Sequence, residues 1–386
     1  MEGRLARQKA FEDGIVTRFL LPEILELASK EGIIQRIMNL SPFSFDDFCT
    51  ALQKDLGYVI PMGNRRRMIA VFLDILNELG LCVREEGMWR WVSRGGRNPA
   101  ITEVIVGSHE SGVPVDDGQL FFFRECLRHL PAYLRGGPES IGFDEKSVTA
   151  WDRFLGCAEF RSCRKLLLEL MEVENRKTFR LLDLCHGPGW GIAEAVSLYP
   201  EVRLTAIDFT DAFSQAARGR VRKAAGMNRE ASHEDSGIRW IGPRQWSGFG
   251  CPLPFGDGEF DAVLFSGGDP YIPRTLRKAV YEEVARVLAP GGSLGILTRG
   301  YPDPGRQYVP SYQMRITALV HDFSESVCEG WEGFSDPEEN VRMFKDIGFL
   351  EGGAVSGGMS FLESSLWVLR KGAAPVPGNG TISPSR

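Results

Sequence analysis

The chain has 386 residues, and 43% of them are hydrophobic. This length and composition predict a sizeable buried core divided between two domains. The formal net charge of −6 excludes a general electrostatic attraction to nucleic acid or to an anionic membrane. Because no apolar run reaches about 18 residues and the first residues do not resemble a signal peptide, we expect a cytoplasmic protein.

The eight cysteines occur singly along the chain. Cys126 with His129, and Cys157 with Cys163, have the spacing of half a metal site, but neither pair is followed by a second pair at zinc-finger spacing. We therefore predict buried thiols and no metal ion.

Amphipathic periodicity dominates the N-terminal region. Residues 5–38 predict one or two helices, with Pro22 at a boundary or kink. Ser44 is a predicted helix cap, a further helix is expected from Asn64 up to Gly80, and residues 81–92 predict a hairpin. Helix, helix and hairpin are together typical of a winged-helix module.

A winged helix raises the question of DNA binding. Arg65, Arg66 and Arg67 lie at the start of the second helix, where they can meet phosphates. The alternative is a solvated face on a packing module. An acidic chain with no other basic cluster in this region favours the second interpretation.

The middle of the chain predicts a loop followed by helices. Residues 94–118 are rich in Gly, Pro, Ser and Asp, whereas 120–133 and 145–175 have helical periodicity. His129 lies among apolar neighbours, which favours a packed or pocket-lining histidine over a metal ligand. We predict a helical, winged-helix-like domain over residues 1–118 and a helical connector over 119–176.

From residue 179 onward, short apolar strands alternate with helical segments, which is the pattern of a doubly wound α/β sheet. The last two predicted strands are separated by a short glycine segment and must pair antiparallel. We assign residues 177–371 to this domain and expect a disordered tail over 372–386. The predicted strands are 179–184, 203–207, 261–266, 293–298, 350–355 and 361–370, and the predicted helices lie near 191–199, 211–224, 273–288 and 337–346.

The first of these strands carries a ligand-binding signal. It ends at Asp183 and continues through Gly187 and Gly189 into a helix. Strand, glycine turn and helix bring backbone N–H groups close to a nucleoside, and a Cβ would block either the turn or the ligand. Asp208 ends the next strand about twenty residues later, where an acid can accept hydrogen bonds from ribose hydroxyls. This geometry serves both NAD and S-adenosylmethionine.

Two later motifs separate these cofactors. Residues 253–264, Leu-Pro-Phe-Gly-Asp-Gly-Glu-Phe-Asp-Ala-Val-Leu, lead into the fourth strand, and residues 290–292, Pro-Gly-Gly, form a turn before the fifth. With the terminal hairpin, these motifs resemble the class I S-adenosylmethionine-dependent methyltransferases over residues 179–370. A NAD-dependent dehydrogenase is disfavoured because that turn and hairpin are not expected there. The helical N-terminal half extends the resemblance to the two-domain small-molecule O-methyltransferases of secondary metabolism.

This resemblance implies a seven-stranded, Rossmann-like α/β sheet with S-adenosylmethionine as the methyl donor. It implies a small aromatic or polycyclic biosynthetic intermediate as acceptor, and a homodimer in which the N-terminal domain forms the dimer interface and the acceptor lid. Neither nucleic acid nor membrane is an expected partner. The implied cofactor-binding residues are Asp183, Cys185, Gly187, Gly189, Asp208, Phe209, Gln245, Trp246 and Ser266.

The chain departs from the family pattern around the cofactor. Cys185 stands where the family has its first glycine, and its side chain is accommodated if it points away from the ligand. Pro243 stands where the family has an acid that binds the adenine amino group. Stacking on Trp246, a hydrogen bond from Gln245, or backbone contacts alone are the alternatives.

A third departure concerns catalysis, because the family's histidine after the fourth strand is absent. An alcohol or phenol acceptor needs a base, whereas an amine, a thiol or an activated carbon can react through positioning and desolvation alone. Asp269 or Tyr271 can take the place of the histidine, or His129 or His321 can reach the site from a helix. The alternatives to an ordinary O-methyltransferase are an enzyme acting on C, N or S, and a non-catalytic, ligand-binding regulatory protein.

Overall fold

Seven strands form one mixed sheet in the C-terminal part of the chain. The computed structural model describes residues 15–92, 118–172, 178–226, 237–301, 311–355 and 364–372. In spatial order the sheet is β5-β4-β3-β6-β7-β9-β8, and β9 runs antiparallel to both of its neighbours, whereas the other neighbouring pairs are parallel. Its strands are β3 (Arg180–Leu184), β4 (Arg203–Ile207), β5 (Arg239–Ile241), β6 (Phe260–Ser266), β7 (Leu288–Thr298), β8 (Phe349–Val355) and β9 (Ser365–Lys371).

Strand β3 lies in the middle of the parallel region, paired with β4 on one side and β6 on the other. Its side chains alternate between two hydrophobic clusters, with Leu181 on one face and Leu182 and Leu184 on the other. Helices cover both faces, so every strand residue from Leu181 to Leu184 is buried. Parallel strands end at one edge, and the segments that follow β3, β4 and β6 therefore meet there.

Two groups of helices cover the sheet. Helices α7 (Ala158–Leu170), α8 (Trp190–Leu198) and α9 (Ser214–Ala224) share the cluster that contains Leu181. Helices α10 (Arg277–Val287) and α12 (Pro337–Ile347) share the other cluster. The predicted doubly wound α/β fold is confirmed.

Strand bounds differ from prediction at the C-terminal end of the sheet. Strand β7 begins at Leu288 and not at residue 293, because Leu288 pairs with Phe260 before the register shifts. The predicted antiparallel pairing of β8 and β9 is confirmed, and β9 lies between β7 and β8. The predicted strand start at 361–363, most of the predicted loop at 94–118 and the tail after residue 372 lie outside the described residues.

The N-terminal region is helical and ends in a hairpin, as predicted. Ser44 caps its helix through a capping box with Asp47, and the hairpin turns at Gly87, which has a positive φ. Of the predicted segment 5–38, residues 1–14 lie outside the described part. The elements are α1 (Ile15–Lys30), α2 (Ile33–Leu40), α3 (Phe45–Leu56), α4 (Asn64–Glu78), β1 (Cys82–Glu85) and β2 (Met88–Trp91).

The described residues include three further helices, namely α5 (Gly118–Leu134), α6 (Val148–Leu155) and α11 (Ser311–Glu325). The sequence did not predict α11. It lies between β7 and α12 in sequence, yet it packs against α1, α4 and α5 of the N-terminal region. Among the described residues, no helix is both long and apolar enough to cross a membrane.

The arginines at the start of α4 do not form the predicted solvated face. Arg65 donates to a backbone carbonyl in the segment between α5 and α6, Arg66 pairs with Asp46, and Arg67 pairs with Asp322 of α11. Each guanidinium therefore has an intramolecular acceptor, and the contacts of Arg65 and Arg67 hold the N-terminal helices against the rest of the chain.

Asp322 is the centre of this attachment. Its Oδ1 accepts a hydrogen bond from Trp331 Nε1 at 2.9 Å, and its Oδ2 accepts one from the Tyr301 hydroxyl at 2.7 Å. The carboxylate is buried and depends on Arg67 and these two donors to offset its lost hydration.

Replacing Asp322 with alanine is expected to lower the free energy of unfolding by about 3 kcal/mol, because it strands the Arg67 charge and two buried donors. Urea unfolding followed by circular dichroism measures this change. Asp46→Ala is the matched control, since that carboxylate is 81% exposed in its pair with Arg66 and should contribute less than about 1 kcal/mol. Equal stabilities for the two variants would contradict the role given to Asp322.

Candidate active site

The turn after β3 is built from left-handed backbone. Cys185, Gly187 and Gly189 have φ values of +57°, +49° and +83°. A Cβ on Gly189 would lie 2.6 Å from the Ala217 Cα, so glycine is required for the close approach of this turn to α9. Cys185 is the one of these three residues that is not a glycine. Holding a non-glycine residue in the left-handed region costs about 1–3 kcal/mol, and such strain is typical of functional sites.

A hydrogen bond joins this turn to the end of β4. The Gly187 N–H donates to Asp208 Oδ2 at 2.8 Å, and Thr210 N–H donates to Oδ1 at 3.2 Å. Burial raises the pKa of Asp208, and these N–H donors oppose that rise by favouring the carboxylate. Each carboxylate oxygen retains a lone pair for a further donor.

A cavity opens at the edge where β3, β4 and β6 end. The space between its walls is about 490 Å³ when the open solvent at its mouth is included. Six predicted site residues line it: Cys185, Gly187, Asp208, Phe209, Ser266 and Tyr271. The other lining residues are Phe143, Trp151, Leu155, Pro188, Phe213, Phe249, Gly267 and Gly268.

Two of the lining residues, Cys185 and Ser266, carry a small polar side chain. Cys185 is part of the cavity wall and also packs against the hydrophobic cluster that contains Leu182 and Leu184, and the expected direction of its side chain relative to a ligand stays a prediction. Burial raises the pKa of its thiol, which is therefore neutral. The Ser266 Oγ is shielded from solvent and has no hydrogen-bond partner within the described residues, so it can bind a polar group of a ligand.

Asp183 and Gly189 lie behind the turn and not in the cavity wall. A Cβ on Gly191 would lie 2.7 Å from Asp183 Oδ2, and the Ile192 N–H donates to the Asp183 carboxyl. Burial raises the pKa of Asp183 to about 8. Asp183 therefore supports the first turn of α8, and a direct cofactor contact from its side chain stays a prediction.

The two residues expected to bind adenine face other spaces. Gln245 accepts a hydrogen bond from the Gly242 N–H at 3.0 Å and borders a separate polar cavity. Trp246 is buried, donates to the Cys251 carbonyl at 3.3 Å and borders a third cavity. Phe249, which the sequence analysis missed, lines the main cavity and has its ring centroid 6.3 Å from that of Phe209.

Asp269 does not reach the cavity. Its carboxylate accepts two hydrogen bonds from Arg277 Nη1, at 2.9 and 3.0 Å, and one from the Tyr281 hydroxyl. It is buried and absent from the cavity wall. With both oxygens held in this cluster, Asp269 stabilises the segment after β6, and the structure does not place it as a base.

The two candidate histidines are also absent from the cavity wall. His321 lies inside α11, with its ring centroid 4.5 Å from that of Phe123. Burial, together with nearby Arg299, holds its pKa well below the usual range, so the imidazole is neutral. His129 lies partly buried on α5.

Tyr271 is the predicted catalytic residue that the structure brings to the cavity. It ends a short 3-10 helix after β6, and its hydroxyl donates to Glu325 Oε2 at 3.2 Å. The sequence analysis missed Glu325 because it lies 54 residues later, on a helix that was itself not predicted. Burial raises the pKa of Glu325 to about 8.

This cavity suits a cationic nucleoside. A buried carboxylate, Asp208, lies at one end, and aromatic rings form much of the wall. No lysine or arginine occurs among its described lining residues. Aromatic faces and a carboxylate both attract a cation such as a sulfonium, whereas a phosphate would meet no cationic side chain.

Comparison with known proteins supports this interpretation. Residues 181–292 match the family described as a methyltransferase domain. The demethylmenaquinone methyltransferase of Listeria welshimeri serovar 6b is 29% identical over 220 residues, which cover 53% of this chain and 85% of that protein.

Two solved structures show the same fold. The DszA carbon methyltransferase has a TM-score of 0.63 at 17% identity, and covers 97% of this chain and 93% of its own. An O-methyltransferase family 2 protein from Planctomyces limnophilus, solved with apigenin, has a TM-score of 0.52 at 15% identity, and covers 92% of this chain and 96% of its own. The chain therefore contains a methyltransferase domain over residues 181–292, and its fold resembles that of the two-domain, class I S-adenosylmethionine-dependent O-methyltransferases.

Proposed function

We propose that this enzyme methylates a small, largely apolar acceptor that carries an aromatic ring. The observation that supports this proposal is an aromatic wall formed by Phe143, Trp151 and Tyr271. The rings of Phe143 and Trp151 stack at 5.3 Å, and Tyr271 stands edge-on to both, at 5.2 and 5.8 Å. Offset-stacked and edge-to-face contacts of this kind also bind flat aromatic ligands.

The aromatic wall and the glycine turn line the same cavity. Leu155 of α6 lies beside Gly187 and Gly267, where their Cβ atoms would be 3.7 and 3.3 Å from its methyl groups. Phe143, Trp151 and Leu155 all precede residue 181, outside the part that matches the methyltransferase family. We assign donor binding to the residues after β3, β4 and β6, and acceptor binding to this N-terminal contribution.

S-adenosylmethionine supplies an electrophilic methyl group on a cationic sulfur. In our proposal Asp208 accepts hydrogen bonds from the ribose, and the rings of Phe209 and Phe249 flank the adenine. The surrounding apolar side chains exclude water from the reacting atoms, which strengthens each polar contact. Tyr271 and the aromatic wall hold the acceptor in line with the methyl group.

Carbon is our second candidate for the methylated atom, beside oxygen. The described cavity wall contains no histidine, so the base of a typical O-methyltransferase is missing. The DszA protein that shares this fold is a carbon methyltransferase, and the Listeria relative is a demethylmenaquinone methyltransferase. Mass spectrometry with fragmentation of the methylated product separates a C-methyl group from a methyl ether.

Replacing Asp208 with alanine is expected to weaken S-adenosylhomocysteine binding by about 10- to 100-fold, since each lost hydrogen bond to a charged group contributes about 1.5–3 kcal/mol. Isothermal titration calorimetry measures the change, with NAD as a ligand that should not bind. Asp211→Ala is the control, because Asp211 is exposed and absent from this cavity wall. Unchanged affinity in the Asp208 variant would show that the ribose lies elsewhere.

Replacing Phe143 with leucine is expected to raise KM for an aromatic acceptor by about 2- to 10-fold, because one ring–ring contact contributes about 0.5–1.5 kcal/mol. The KM for S-adenosylmethionine should not change. Release of S-adenosylhomocysteine with apigenin or a demethylmenaquinol analogue measures both constants. Phe255→Leu, in a ring pair with Phe260 outside the cavity wall, is the control, and an equal rise in that variant would contradict the proposed acceptor wall.

We also propose the predicted homodimer through the N-terminal domain. Supporting it are apolar side chains of that domain that remain exposed, namely Met38, Val59, Met62 and Met88. Sedimentation equilibrium should give twice the chain mass, and Met62→Glu should shift the protein toward monomer by placing a charge in the interface. A monomeric wild-type protein at micromolar concentration would contradict this part of the proposal.

A further inference from the structure

The cavity wall is connected to a buried carboxyl group through one hydroxyl. The Tyr271 hydroxyl lies 3.2 Å from Glu325 Oε2, and the two residues are only 8% and 4% exposed. Tyr271 follows β6, whereas Glu325 is the last residue of α11. Two separate elements therefore place a proton donor and a proton acceptor together beside the reacting space.

The groups that face Glu325 define its electrostatic environment. Arg299, at the end of β7, favours the carboxylate, and Asp322, one turn earlier on α11, opposes it. The thiols of Cys126 on α5 and Cys328 lie 3.9 Å apart and also act on Tyr271 and Glu325. Burial holds the pKa of both thiols above the usual range, so they are neutral.

A purely structural pair is the alternative to consider. The same enzyme contains such a pair, because the Tyr281 hydroxyl donates to Asp269 in a cluster completed by Arg277. That cluster is absent from the cavity wall. Glu325 differs because its tyrosine lines the cavity and because no hydrogen bond from an arginine to Glu325 is found among the described residues.

We propose that Tyr271 and Glu325 form a proton-accepting pair for methyl transfer, with Tyr271 in contact with the acceptor and Glu325 behind it. The acceptor is then a weak acid that must lose a proton, namely a phenol or an enolisable carbon flanked by carbonyl groups. This inference rests on the proposed function and specifies its substrate class.

The proposed step balances in atoms and charge. The acceptor atom forms a bond to the methyl carbon as the methyl–sulfur bond breaks, and that bond's electron pair neutralises the sulfonium. The acceptor proton passes to Tyr271 Oη, while the Tyr271 proton passes to Glu325 Oε2. Glu325 ends the step as a neutral acid and returns its proton to water after product release.

The acidity of the pair supports this assignment. Burial raises the pKa of Glu325 to about 8, so its carboxylate is a stronger base than an ordinary glutamate. A general base is most effective when its pKa lies near the working pH. The rate of methyl transfer should fall tenfold per pH unit below about 8 and level off above it.

The test compares Glu325→Gln and Tyr271→Phe with wild-type enzyme on apigenin and on 2,4-pentanedione. We expect kcat to fall by about 100- to 10,000-fold in both variants, while S-adenosylhomocysteine affinity changes less than about twofold. In the glutamine variant, the rate should also no longer fall as the pH drops below about 8. It should recover activity toward apigenin at alkaline pH, because the phenol then ionises in solution.

Tyr281→Phe is the matched control, since it removes the same hydroxyl from the other buried tyrosine–carboxylate pair. It should retain the wild-type pH profile, even if it lowers the melting temperature. The proton-accepting role would be overturned if kcat for Glu325→Gln were within threefold of wild type, or if kcat of that variant kept the wild-type dependence on pH.

A second measurement does not depend on turnover. A carboxyl group whose pKa is raised by folding stabilises the protein below its unfolded pKa, and that contribution is lost as the pH rises through its folded pKa. The melting temperature of wild type minus that of Glu325→Gln should therefore decrease as the pH rises from about 5 to about 9. A constant difference would show that Glu325 titrates normally and would overturn the inference.

The outcomes also separate this inference from the proposed function. If wild type methylates apigenin or the diketone and Glu325→Gln does so equally well, the acceptor class stands and the Tyr271–Glu325 pair is wrong. If wild type binds S-adenosylhomocysteine but methylates neither probe, the proposed acceptor class is contradicted, and the inference falls with it.

Discussion

The hydrogen bond from the Gly187 N–H to Asp208 is the contact on which the site depends. It connects the ends of two adjacent parallel strands, β3 and β4, and it turns the chain so that both face one cavity. The turn requires left-handed backbone, and its close contact with α9 excludes a side chain at Gly189. The position of this cavity therefore follows from the geometry of parallel strand ends and from glycine at defined positions.

Helix α11 imposes the second constraint. It enters the sequence after β7 but packs among the N-terminal helices. Asp322 and Glu325 lie one turn apart on it, so neighbouring side chains on the same face perform two different tasks. Asp322 binds Arg67 and attaches the N-terminal helices, while Glu325 reaches Tyr271 at the cavity. The position of the carboxyl group beside the site consequently depends on the packing that joins the two halves.

Several buried acids in this enzyme owe their state to their partners. Asp269 and Asp322 each accept hydrogen bonds from an arginine and from a tyrosine hydroxyl. Asp183 and Glu325 lack such an ion-pair hydrogen bond within the described residues, and burial raises the pKa of each to about 8. Where an arginine donor is missing, burial therefore dominates and holds the pKa of the carboxyl group high.

The sequence by itself determined the doubly wound order of the sheet, although not strand β5, and it determined the glycine turn and the residues that follow the strands, because these depend on local periodicity and on backbone conformation. Asp208, Phe209 and Ser266 could be predicted for the same reason, since parallel strand ends always meet at one edge. Only the tertiary structure decided that Asp269 is held by Arg277 and that His321 lies away from the cavity wall. It also decided that Phe143, Trp151 and Glu325 come to Tyr271, because contacts between residues so far apart in sequence follow from helix packing and leave no local pattern.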